Sequence, residues 1–204
     1  MRPALVTVLS LAACSSSSST PSPPPPAAAE KTEAPRFRWP VPDGWRAETI
    51  PFPLEFAPDI ERRGVEELRF APGFFQPEAA GYWTYAFAWV VTDQRPADPA
   101  TLAPELTAYF RGLTRAVAAE KKDLPALDLA RIDARLAADG RGTVHTFDAF
   151  GDGRAVELDV TVTVQPCGSG RAILVAAAPR GKAPLEPGPA EVVGTFRCDA
   201  PLLK

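Results

Sequence analysis

Gly81-Tyr82-Trp83-Thr84-Tyr85-Ala86-Phe87-Ala88-Trp89-Val90-Val91 is the stretch on which the fold turns. Aromatic and β-branched side chains in a run of this length favour extended backbone. Side chains alternate across a strand, so Trp83, Tyr85, Phe87 and Trp89 share one face and Thr84, Ala86, Ala88 and Val90 the other. Both faces are mostly apolar, as expected of a central strand under a helix. The run is too short to cross a bilayer as a helix, which takes about 20 residues.

The covering helix comes next in the chain. Leu102, Leu106, Tyr109, Phe110, Leu113 and Val117 recur at three- and four-residue spacing. Asp98-Pro99 turns the chain, Thr101 is the expected cap, and Lys121 and Lys122 suit the negative end of the helix dipole. Pro125 prevents continuation. Residues 128–138 fit a short helix through Leu129, Ile132 and Leu136, or a strand through Ile132, Ala134 and Leu136. The strand is preferred because Asp139-Gly140 and the strand-like 142–150 follow. In that segment Val144, Thr146 and Asp148 form one row, and Thr143, His145 and Phe147 the other. Beyond the Gly151-Asp152-Gly153 turn, Val156, Leu158, Val160, Val162 and Val164 alternate with polar residues, and 172–178 is a further strand. Short connections between these four segments predict an antiparallel meander. Residues 190–196 read either as a strand or as a last helical turn.

Upstream of the aromatic stretch, 66–71 reads as a short strand, and Phe74 and Phe75 follow Pro72-Gly73 in a loop. Pro51 and Pro53 restrict 49–56 to an edge strand or an extended loop, because proline donates no ladder hydrogen bond. Pro42-Asp43-Gly44 is turn chemistry between Trp39 and Trp45, which are expected to fold over the core as a clasp. The expected class is α+β, an antiparallel β-sheet covered on one face by one long helix, in a single domain over residues 36–204.

The beginning of the chain has a different character. A short apolar run follows Arg2 and ends in Leu11-Ala12-Ala13-Cys14, ahead of serines and a proline-rich tract. It reads as a secretory signal rather than as fold. Its end resembles the lipobox of bacterial lipoproteins. The resemblance implies that residues 1–13 are a signal peptide, that Cys14 carries a diacylglyceryl thioether and an acylated amino group, and that membrane lipid is the first partner. Ser15 in place of aspartate then implies the outer membrane, where the cell has one. An ordinary signal peptide, cut near Ala13 with Cys14 left free, is the alternative. Residues 14–35, rich in serine, proline and alanine, read as a flexible tether.

After Cys14, Cys167 and Cys198 remain of the three cysteines. In an exported chain they are expected to pair as a disulfide; two buried thiols, or half of a metal site, are the alternatives. The formal charge is -3 and no Lys/Arg block occurs, so the footprint of a nucleic-acid binder is missing. Val41-Pro42-Asp43-Gly44-Trp45, together with the closing valines and Thr195-Phe196-Arg197, makes the domain similar to the PsbP/Mog1/DcrB group. That resemblance implies an α+β domain of the kind found in exported lipoproteins, with no shared active site.

Catalytic sets are thinly represented. His145 is the one histidine, with Asp148 and Asp152 near it in sequence, and an extracytoplasmic hydrolase built on these three is the alternative function. Gly168-Ser169-Gly170 is a turn rather than a nucleophile elbow. Glu66 and Glu67 are adjacent on a strand and so point to opposite faces. No spacing calls for a metal or a cofactor. Binding is the preferred reading, with an envelope protein or glycan as partner. Phe74 and Phe75 are candidate anchors. Trp83, Tyr85 and Trp89 either floor a groove or pack beneath the helix.

Overall fold

The computed structural model describes residues 37–199. Cys14, the signal-like segment and the Ser/Pro tract lie outside the described residues. The elements run β1 (Phe37–Arg38), β2 (Arg46–Pro51), β3 (Gly64–Phe70), β4 (Tyr85–Val91), α1 (Pro99–Ala119), a 3-10 turn (Leu129–Arg131), β5 (Asp133–Leu136), β6 (Arg141–Phe147), β7 (Ala155–Cys167), β8 (Gly170–Pro179), α2 (Pro189–Gly194) and β9 (Arg197–Cys198). A seven-stranded sheet has the order β2-β3-β4-β8-β7-β6-β5, and β1 pairs with β9. All pairings are antiparallel. The class is α+β.

The topology follows from one long step. After β4 the chain rises into α1, crosses the sheet, and re-enters at the far edge as β5. The meander β5-β6-β7-β8 then returns to close against β4. The aromatic strand therefore sits between β3 and β8, away from either edge. Tyr85, Phe87 and Trp89 pack with Leu102, Leu106, Tyr109 and Phe110 of α1 in the larger core. Phe87 and Tyr109 stack at 5.1 Å between ring centroids.

The second face is covered as well, by the expected tryptophan clasp together with α2. Ala86, Ala88 and Val90 face Ala172, Leu174, Trp39, Trp45, Val192 and Phe196. Alanines leave a shallow surface there, and the clasp tryptophans with α2 fill it. Gly44 makes the clasp turn with φ +76, and Trp45 N donates to Pro42 O at 3.0 Å. The Arg69 guanidinium stacks on the Trp39 ring and donates to Trp39 O at 2.7 Å and to Glu67 Oε2 at 3.1 Å. Trp39 Nε1 donates to Val192 O at 2.8 Å, joining clasp to α2.

Two local readings change, and two ambiguous segments resolve. Asp98, not Thr101, caps α1: its side chain accepts from Thr101 N at 2.9 Å. The aromatic strand begins at Tyr85, because the chain is still turning before it, with Thr84 N bonded to Gly81 O at 2.9 Å and Trp83 at φ +59. Residues 190–196, left open between strand and helix, fall mostly in α2. Segment 128–138 satisfies both of its patterns in turn, a 3-10 turn and then β5.

Cys167 and Cys198 are joined by a disulfide with Cα atoms 5.2 Å apart. It fastens β9 to the β7–β8 hairpin, and β9 in turn holds Phe37 and Arg38. At the same end, buried Arg62 donates to Glu105 Oε2 at 2.9 Å, Asp93 Oδ1 at 3.1 Å, and the carbonyls of Arg95 and Pro96. One guanidinium thereby locks the loop before β3 to the β4–α1 connection.

Candidate functional site

The connections β3–β4 and β6–β7 leave the sheet at the same end, beyond the Phe70–Tyr85 and Phe147–Ala155 pairs. Their aromatic residues meet there. Phe150 lies 4.9 Å from Trp83, 5.5 Å from Phe74 and 5.3 Å from Phe75, between ring centroids. Asp148, fully buried, holds the two loops together by accepting from the Tyr82 hydroxyl, from Trp83 Nε1 at 3.0 Å and from Gly151 N at 2.9 Å. Lys121, just past α1, donates to Phe150 O.

The binding candidates separate sharply in this setting. Trp83, Tyr85 and Trp89 are buried under α1 and the aromatic loops, so they do not floor an open groove. Phe74 is buried too, wedged against Phe70 and Tyr85. Phe75 presents its ring to solvent, 44% exposed, with the Arg46 guanidinium 5.6 Å from its centroid. The two neighbours differ because Phe74 fills the end of the core and leaves no volume for a second ring.

His145, Asp148 and Asp152 do not converge. His145 lies on the partly open face, with Nδ1 2.9 Å from Asp133 Oδ1 and Nε2 3.4 Å from Glu157 Oε1. These partners sit directly across from it on β5 and β7. Asp148 belongs to the opposite row and is consumed by Tyr82, Trp83 and Gly151, while exposed Asp152 lies 3.9 Å from Arg154. The hydrolase constellation is therefore not assembled in this fold. Sequence spacing could not reveal Asp133 and Glu157 as the histidine's neighbours, because strand register creates that contact.

A groove of about 350 Å³ runs between α1 and residues 56–59, lined by Phe56, Pro58, Pro104, Arg111 and Arg115 among others. Its most fixed cation, Arg111, already donates to the carbonyls of Leu129 and Ile132, both at 3.1 Å. Among the described residues no group of three or more His, Cys, Asp or Glu is placed to hold a metal, and no helix is long and apolar enough to cross a membrane.

One polar group lies where the sequence offers no reason for it. Glu66 is 0% exposed, on the α1 side of β3, and Oε1 accepts from Trp89 Nε1 at 3.1 Å. Burial pushes its carboxyl up to about 7, against the opposing pull of the Trp89 and Tyr109 hydrogen bonds. Glu67 occupies the other face with Arg69 and Thr49.

No family model matches the chain, and no curated protein matches it. One solved structure to which it is similar is that of LpqN of Mycobacterium tuberculosis, described as involved in cell envelope biogenesis. The identity is 14%, the match covers 82% of this chain and 85% of that one, and the TM-score is 0.30. A likeness at that level transfers neither residues nor roles.

Proposed function

We propose that this chain is a lipid-anchored protein of the bacterial cell envelope, acylated at Cys14, whose domain binds or helps assemble another envelope component without catalysing a reaction. The observation that carries the proposal is Leu11-Ala12-Ala13-Cys14 at the end of a short apolar run, followed at once by a serine- and proline-rich tract. The disulfide fits an oxidising compartment. Two or more acyl chains would hold the domain at a membrane surface, since a single chain binds only marginally. Phe75, backed by Phe150 and flanked by Arg46, is the contact point for the partner, an envelope protein or glycan.

The decisive measurement is the intact mass of protein extracted from membranes. The expected product begins at Cys14 and carries diacylglyceryl plus amide-linked acyl mass; an unmodified chain in the soluble fraction would overturn the anchor.

A further inference from the structure

Glu66 closes a cluster that neither the anchor nor the Phe75 contact uses. Its cross-strand neighbours are Trp89 on β4 and Ile50 on β2, and Tyr109 approaches from α1. Tyr85, Trp89, Tyr109 and the carboxyl are all buried. Within this cluster Glu66 Oε2 and the Tyr85 hydroxyl oxygen make no hydrogen bond. A buried polar atom without a partner forfeits its hydration, and a charge forfeits far more.

We propose that Glu66 is a pH-operated latch between the β2–β3 edge of the sheet and helix α1. With its proton on, the neutral carboxyl is tolerated beneath the helix. With its proton lost to solvent, an anion with no cation beside it and one oxygen unpartnered sits among aromatic rings, and helix and edge loosen from one another. The groups that bear on it are Glu48 from β2, Tyr85 and Trp89 from β4, and Tyr109 from α1; none is a cation, and Glu48 repels the charged form. Loosening uncovers Tyr85, Trp89 and Tyr109, the aromatic face that the closed fold hides. The latch belongs to the domain itself and holds however the chain is anchored.

The direction is set by linkage. The carboxyl rises from the ordinary glutamate value of 4.5 to about 7 in the folded chain. Between those values the folded state keeps a proton that the unfolded state has released. This contribution is therefore most favourable to folding below that window, is lost as pH climbs through it, and levels off above it.

The test compares the purified full chain with Glu66→Gln, which keeps the shape and cannot ionise. Going from about pH 5 to about pH 8, the wild-type folding equilibrium constant should fall on the order of 50-fold more than that of the variant. Equal pH dependence in the two proteins overturns the latch. Amide exchange of α1 and β2–β3, corrected for its intrinsic pH dependence, should rise above pH ~7 in the wild type alone; unchanged protection there overturns it as well. Should Glu66→Gln fail to fold, a carbon-13 titration of the Glu66 carboxyl in the wild type decides. A midpoint near 7 supports the proposal, and one at the ordinary glutamate value overturns it.

Discussion

Asp148 shows how a residue's neighbours decide what its chemistry does. A carboxylate near a histidine in sequence invites a catalytic reading, yet this one accepts from Tyr82, Trp83 and Gly151 in a buried loop junction. It fixes the indole of Trp83, a residue whose backbone lies in the left-handed region at φ +59, which side chains of that bulk rarely adopt. Asp148→Ala should leave the Tyr82 and Trp83 donors without their acceptor, while Gly151 N keeps Asp148 O at 3.2 Å, and destabilise the domain by about 2–4 kcal/mol, read by chemical denaturation. His145→Ala, at a 41% exposed side chain, should change stability by no more than roughly 0.5 kcal/mol. Arg62 is a third case. Its guanidinium is buried with Asp93 and Glu105, so Arg62→Ala strips both of their closest cation, leaving Glu105 only the longer Arg95 pair at 3.7 Å, and should cost about 3–5 kcal/mol in the same assay.

Elements are joined by a few close approaches. Helix α1 can lie near the loop after β2 because Gly112 has no side chain; a Cβ there would run into Phe56 O. Gly112→Ala should push that loop off the helix and lower the melting temperature by several degrees, a shift in the range expected for about 1–2 kcal/mol. The disulfide works on another scale. It closes a loop with a sequence separation of 31, for which the chain-entropy model gives about 3–4 kcal/mol. Cys198→Ser should lose that amount, and reductant should lower the melting temperature of the wild type but not of the variant. The bond also sits where the chain enters the described domain, because β9 holds β1 on one side and the β7–β8 hairpin on the other.

Across the whole molecule, Phe37 and Phe75 lie towards opposite ends of the sheet. β1 is held next to the Cys167 hairpin, which adjoins the Val91 end of β4, whereas Phe75 sits beyond the Tyr85 end. Strand β4 alone separates those ends by roughly 20 Å at ~3.3 Å per residue. Phe75 is thus presented at the end of the sheet away from Phe37. A photocrosslinking residue at position 75 should capture a discrete envelope partner, while the same residue at exposed Val164 should not. Identical capture from both positions would count against Phe75 as the contact.

Much of this was legible in the residues. The two-residue period of 81–91 and the three-to-four period of 102–117 reflect which side chains must leave water, so they specify one apolar strand and one amphipathic helix before any contact is known. Short glycine turns between the later strands imply a meander, and two cysteines behind a signal-like segment raise the expectation of a bond. Other features depend on residues far apart in the chain. Register set His145 between Asp133 and Glu157, and core volume took Phe74 in while leaving Phe75 out. The crossing of α1 covered Tyr85 and Trp89 and enclosed Glu66 with them. Periodicity assigns a side chain to a face; only the packing of distant segments decides whether water still reaches it.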